Sequence, residues 1–333
     1  MEYRYSGNSS DKIAAFDLDY TLLVPKSGNK FPKDRNDAKY LYPEIPKKID
    51  NLRRKGYKTV IFSNQKKTDP EDIFYKVNKF FNLSNTDVFI SLQDDHCRKP
   101  LPGMFNKFLE LNGPVKKMFY VGDAAGRPKD FSDSDVKFAL NIGAVFCIPE
   151  EYFLEQTFYP PTLKPYPLEF EELEPSKLTL PKQKEKLMIL QVGMPGCGKS
   201  TLSSKLQSKY DFTVIGNDLT GSLAKSLRMC KSELAKGSSI IIDNTNGSKG
   251  TRDKFSDLAR QFGYRVWVIV HTIPPECCRY LNKLRAYKNK TKCIPEIAYR
   301  VYNKNFEYPS MKDYDFVKEY IPKVDVKELT LYV

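Results

Sequence analysis

The chain has 333 residues, 41% hydrophobic and 13% aromatic, with a formal net charge of +13. That length suits about two domains, and the composition excludes wholesale disorder. Seven cysteines without a CxxC pair, with only His96 and His271 beside them, exclude a zinc framework or a disulfide scaffold.

The opening MEYRYSGNSSDK has no apolar core, so no signal peptide is expected. No apolar run reaches membrane-spanning length. The expectation is a soluble protein of a reducing intracellular compartment, nuclear or cytoplasmic.

Apolar runs predict strands at Ile13–Asp17, Lys58–Phe62, Asp87–Ser91, Met118–Val121 and Ala144–Ile148. Helices are predicted between them at Ile45–Lys55, Pro70–Phe81, Pro102–Leu111 and Ser134–Ile142. Residues 151–186 then break the alternation with a proline-rich, acidic stretch, expected to be a connector laid over the domains. It restarts with strands at Leu187–Val192, Thr213–Ile215, Ser239–Ile242 and Val266–Val270. The matching helices are Lys199–Lys209, Gly221–Ala235, Gly250–Phe262, Pro275–Leu284 and Pro295–Asn303. Repeated βα predicts an α/β fold with two parallel-sheet domains, residues 1–150 and 187–333.

The first chemical motif is Phe16-Asp17-Leu18-Asp19-Tyr20-Thr21. Carboxylates at i and i+2 on an extended chain share a face. At the end of a parallel strand that face opens on the ligand crevice. Magnesium would relieve their repulsion while keeping waters for a phosphate. One carboxylate could then attack phosphorus and the other move protons. Ser63-Asn64-Gln65 ends the second strand, Arg98-Lys99-Pro100 precedes a helix, and Gly122-Asp123-Ala124-Ala125-Gly126-Arg127 follows the fourth strand.

This ordered set resembles the haloacid-dehalogenase-like phosphatases, and within them the 3′-phosphatase domain of the polynucleotide kinase 3′-phosphatase family. The resemblance implies Asp17 as nucleophile, Asp19 as general acid/base, and Asp17, Asp19 and Asp123 around magnesium. It implies Thr21, Ser63 and Lys99 as phosphate-holding groups, with Asn64 and Arg98 beside them. Asp133 and Asp135 lie near, with the role between them open.

The second motif, Gly193-Met194-Pro195-Gly196-Cys197-Gly198-Lys199-Ser200-Thr201, fits GxxxxGK[ST] between a strand and a helix. Backbone N–H groups would wrap the phosphates of ATP, Lys199 would bridge the β- and γ-phosphates, and Ser200 would bind the magnesium of MgATP. Asp243 ends an apolar strand and suits the metal, which leaves Asp218 to take a proton from an attacking hydroxyl. Arg279 and Arg285 could close over the triphosphate as a lid.

GMPGCGKST, the Asp218 segment and IDNTN look like the 5′-kinase domain of the same family, in phosphatase-then-kinase order. The forkhead-associated domain of animal members is not expected ahead of the first strand. Asn217 and Asn303 stand where many relatives differ, which bears on acceptor contacts. Residues 187–333 carry a net +10, suited to a polyanionic acceptor. The expected enzyme is a monomer that removes 3′-phosphates and phosphorylates 5′-hydroxyl ends, readying breaks for a downstream ligase. The competing readings are a small-molecule phosphatase/kinase fusion, which predicts salt-insensitive binding, and a nucleic-acid scaffold with vestigial sites, which predicts no turnover.

Overall fold

The computed structural model describes residues 1–159, 161–180, 186–216 and 220–333. By contacts the chain forms two units. One is Met1–Pro165 with Lys283–Cys293 and Thr330–Val333; the other is Tyr166–Asn282 with Ile294–Leu329.

In the first unit the strands are β1 (Glu2–Arg4), β2 (Lys12–Phe16), β3 (Leu23–Val24), β4 (Lys39–Tyr40), β5 (Lys58–Asn64), β6 (Thr86–Ser91), β7 (Lys117–Val121) and β8 (Val145–Cys147). The helices are α1 (Ile45–Arg54), α2 (Pro70–Phe81), α3 (Gly103–Asn112), α4 (Ser134–Asn141) and α5 (Pro149–Leu154). The sheet order is β1-β6-β5-β2-β7-β8, parallel except for β1, with β3 and β4 as a separate hairpin. Both faces of β2 are buried: Ala14 and Phe16 enter one core, Ile13 and Ala15 the other. From β2 the chain winds one way through β5 and β6, then the other through β7 and β8. The crevice of such a sheet lies at that switch point, outside the carboxyl end of β2.

Helix boundaries follow local chemistry. The Asp69 side chain accepts the Glu71 N–H, Pro70 opens α2, and Glu71 and Asp72 complement its positive end. Three features were not visible as patterns. β1 is three exposed residues, too short for a periodicity. The β3–β4 hairpin contributes only two residues from each strand. α5 carries the chain past residue 150 and buries Phe153 in the core, into the stretch expected to be connector.

The second part of the chain runs β9 (Leu187–Val192), α6 (Lys199–Tyr210), β10 (Thr213–Ile215), α7 (Leu223–Lys236), β11 (Ile240–Ile242), α8 (Lys249–Gln261), β12 (Arg265–His271), α9 (Pro275–Asn289), α10 (Glu296–Asn305) and β13 (Phe316–Tyr320). Its sheet, β10-β11-β9-β12-β13, is wholly parallel. β9 is central, with Met188 and Leu190 in one core and Leu187 and Ile189 in the other. β13, absent from the sequence expectation, pairs with β12, and most of its residues are only partly buried.

Two candidate phosphoryl-transfer sites

Asp17 follows β2, and its N–H donates to the Val121 carbonyl at 2.9 Å, so the turn is pinned to the end of β7. The Asp17 carboxylate accepts from Lys99 Nζ at 2.6 Å. The same ammonium donates to Asp135 Oδ1 at 2.8 Å and to the Tyr120 hydroxyl at 2.9 Å, and that hydroxyl donates onward to Asp135 at 2.9 Å. Asp135 Oδ2 accepts the Ala124 N–H at 3.0 Å. Its approach requires glycine at 122, where a Cβ would stand 2.5 Å from the Asp135 side chain. Thr21 Oγ1 donates to Asp123 Oδ1 at 3.3 Å and accepts the Asp123 N–H at 3.1 Å.

Carboxylate oxygens of Asp17, Asp123 and Asp135 all lie within 4.8 Å of one another. Burial pushes the Asp17 carboxyl well above its ordinary value against the pull of Lys99, and Asp135 and Asp123 add to the rise. Burial and then the charge of Asp135 raise Asp123 to about 7. For Lys99 burial works against the charge, yet Asp135 and Asp17 hold its pKa above normal.

The structure brings Asp17, Thr21, Lys99 and Asp123 together. Asp19, expected among the metal ligands, instead turns its carboxylate to Gln65 Nε2 at 2.5 Å, and Gln65 also donates to Ser63 Oγ at 3.0 Å. Asn64 positions Lys99: its Oδ1 accepts the Lys99 N–H at 2.9 Å and its Nδ2 donates to the Lys99 carbonyl at 3.1 Å. Arg98 pairs with Asp94 at 3.1 Å. Sequence reasoning left Asp135 open and gave Tyr120 and Gln65 no part. Gln65 closes the Ser63-Asn64-Gln65 motif, and Tyr120 stands two residues before the Gly122-Asp123 motif.

At the second site the glycine-rich turn leaves β9 and enters α6. A Cβ at Gly196 would meet the Cys278 carbonyl at 2.3 Å, and one at Gly193 would meet Cys197 Sγ at 2.5 Å. Gly196 also has φ 83°, in the left-handed region that favours glycine. Pro195 and Cys197 are buried, and Gly198 starts α6. Lys199 Nζ arches over the loop and donates to the carbonyls of Gly193 at 2.9 Å and Met194 at 2.7 Å. Ser200 and Thr201 are exposed on the first turn of α6.

Asp243 follows β11, half-buried, with its N–H donating to Ile215 at 2.8 Å. Asp218 lies outside the described residues, as does Asn217. Arg279, one residue past Cys278, forms a bidentate pair with Glu296 at 3.0 and 2.6 Å. Arg285 is exposed and groups by contact with the first unit.

Beneath the loop, Gln191 Nε2 donates to the Lys199 carbonyl at 3.0 Å, while His271 Nε2 lies 2.8 Å from Gln191 Oε1. Burial, then the charge of Lys199, lower the His271 pKa from 6.5 to about 3. The folded protein therefore holds this imidazole neutral while the unfolded chain protonates near 6.5. Stability from this group is intact above pH 6.5 and is lost as the pH falls from there towards 3. A His271→Gln variant should show a shallower loss of stability across that window in unfolding titrations. Equal slopes would contradict the buried neutral imidazole.

Comparison with known proteins agrees with this division. Residues 12–153 match the family model "Polynucleotide kinase 3 phosphatase", and residues 188–309 match an AAA domain. The bifunctional polynucleotide phosphatase/kinase of Schizosaccharomyces pombe is 32% identical over 322 residues, covering 91% of this chain and 77% of the relative. A polynucleotide 3′-phosphatase of Saccharomyces cerevisiae is 30% identical over 42% of this chain and 87% of its own length. One of Arabidopsis thaliana is 36% identical over 46% of this chain and 26% of its own length. The fold is α/β throughout, a phosphatase part followed by a kinase part. With a carboxylate cluster at one switch point, a phosphate loop at the other and a relative matched across 91% of this chain, the chain belongs to the bifunctional polynucleotide phosphatase/kinase family.

Proposed function

We propose that the chain heals broken polynucleotide ends, removing a 3′-phosphate at the first site and transferring the γ-phosphate of ATP to a 5′-hydroxyl at the second. The observation that carries this is the buried Asp17–Lys99–Asp135 cluster standing in one chain with a Lys199 phosphate loop. The domain limits we assign are 1–150 for the phosphatase, 151–186 for the connector and 187–333 for the kinase, with α5 carrying the phosphatase core past the first boundary to Leu154. The products, a 3′-hydroxyl and a 5′-phosphate, are the ends a ligase joins. We assign the chain as a monomer.

At the first site Asp17 is the nucleophile. Its oxygen bonds to phosphorus as the bond to the 3′-oxygen breaks, and Asp19, steadied by Gln65, gives that oxygen its proton. Asp19 then takes a proton from the water that cleaves the aspartyl-phosphate and regenerates Asp17. Lys99, Thr21 and Ser63 hold the phosphate, with Asn64 and Arg98 beside them.

Three carboxylates with oxygens within 4.8 Å, two of them bonded to one ammonium, are a hard-oxygen set that fits magnesium. Asp17, Asp123 and Asp135 would hold the ion, which when bound neutralises charge on the substrate phosphate.

At the second site MgATP is the donor. The N–H groups of the turn and Lys199 hold its phosphates, with Ser200 and Asp243 toward its magnesium. Asp218 takes the proton of the 5′-hydroxyl as the oxygen attacks the γ-phosphorus and ADP leaves. Arg279 and Arg285 are assigned to the lid, which for Arg279 requires the Glu296 pair to open.

Two variants test the assignment by separating the activities. Asp17→Asn should abolish 3′-phosphate release and spare 5′-phosphorylation, because an amide forms no acyl-phosphate. Lys199→Ala should lower transfer by orders of magnitude and spare the phosphatase. Normal phosphatase turnover in the first, or near-normal kinase turnover in the second, would sink that assignment.

Asp218→Asn should leave ATP affinity nearly unchanged and slow single-turnover transfer by about 10²–10⁴, the usual worth of general acid–base catalysis. An unchanged rate would make Asp218 a helix cap, a role asparagine fills as well.

A further inference from the structure

Arg252 is only 1% exposed. Its guanidinium donates to the carbonyls of Asn246 at 2.9 Å, Gly247 at 2.7 Å and Glu307 at 2.8 Å, and to the Tyr314 hydroxyl at 3.2 Å. The first two carbonyls belong to the loop that follows Asp243. The third belongs to the segment that follows α10. Two more bonds close the same seam: Glu307 N–H to the Gly247 carbonyl at 2.9 Å, and Lys249 N–H to Glu307 Oε1 at 3.0 Å. The loop is also tied to the phosphate cradle, since Gly193 N–H donates to the Thr245 carbonyl at 3.1 Å. A buried guanidinium satisfied by carbonyls is a rigid clasp, because releasing any one of them strands a desolvated charge.

The clasped segment carries three aromatic rings in series. Tyr302 and Phe306 lie 5.3 Å apart at 31°, and Phe306 and Tyr308 lie 6.3 Å apart at 88°. Tyr302 is the inner end: a Cβ at Gly247 would meet its ring at 3.1 Å, and burial, then the nearby thiols of Cys197 and Cys278, raise its hydroxyl pKa. Phe306 and Tyr308 are the outer end, 36% and 55% exposed. The series therefore runs from beside the phosphate loop out to solvent. α10 adds the exposed cations Arg300 and Lys304. Two neighbouring rings held partly exposed beside a reaction centre offer faces on which bases can stack. Rings flanked by cations suit a single-stranded nucleic acid, whose bases stack while its phosphates meet positive charge.

We propose that Phe306 and Tyr308 form a stacking platform for the unpaired bases at the 5′ end of the acceptor strand, held in register with the reaction centre by the Arg252 clasp. The inference rests on reading the second site as a polynucleotide kinase.

The test uses the full chain with MgATP and a single-stranded 5′-hydroxyl oligonucleotide. Phe306→Ala and Tyr308→Ala should each raise the acceptor KM on the order of tenfold, within the range of one base–aromatic stack. The KM for ATP, the kcat and 3′-phosphate release should stay unchanged, and Phe306→Trp should retain tight acceptor binding. The wild type should also disfavour an acceptor whose first two nucleotides are abasic, and the double alanine variant should lose that discrimination. An unchanged acceptor KM, or discrimination that survives in the double variant, overturns the platform. So does a parallel rise in the KM for ATP, which would make the segment a support for the phosphate loop. If the wild type phosphorylates no 5′-hydroxyl oligonucleotide, the kinase reading itself fails and the platform falls with it.

Discussion

One ammonium, that of Lys99, stands between two buried carboxylates, and much of the first unit exists to keep it there. Burying like charges is costly unless each finds a partner, and removing one member of such a set strands the others. Asp17 comes from the end of β2, Tyr120 from β7, Asp135 from the start of α4, and Lys99 from the loop clasped by Asn64 at the end of β5. A parallel sheet with a switch point at β2 is a frame that brings those chain ends together. The glycine at 122 gives Asp135 the room to arrive.

The second unit solves a different problem with the same kind of sheet. For the triphosphate we propose there, many donors and few fixed charges are needed, and the turn after β9 presents backbone and a single lysine. The close approach of the Cys278 carbonyl to Gly196 links the start of α9 to this turn, and Gln191 links its underside to His271. The groups we propose to bind phosphate are thereby backed by groups that do not titrate near neutral pH.

Much of this was legible because the elements that carry the chemistry are long, apolar and strongly patterned. α2 spans Pro70–Phe81 as expected, since Asp69-Pro70 and the acidic first turn announce it. β9 and β10 also match to the residue, β9 as a buried apolar run and β10 as a short β-branched one, both between turn signals. β1 and β13 were illegible because an edge strand is defined by its neighbour, which local sequence does not contain. At the site, Asp17, Asp123 and Lys199 stood in motifs. Asp135 and Asp133 have the same spacing appeal, and only the Tyr120 hydroxyl and the Lys99 ammonium distinguish them. Arg252 carried no signal at all, since a helical arginine reads as surface until its carbonyl partners are seen.

That one chain performs two independent phosphoryl transfers on polynucleotide ends is our proposal. It is tested most directly with one oligonucleotide bearing both a 5′-hydroxyl and a 3′-phosphate, incubated with the wild-type chain and magnesium, with and without ATP, and resolved by mass. Loss of the 3′-phosphate is expected in both reactions, and gain of a 5′-phosphate only with ATP. An oligonucleotide left unchanged at both ends, while small phosphorylated metabolites turn over, would contradict it.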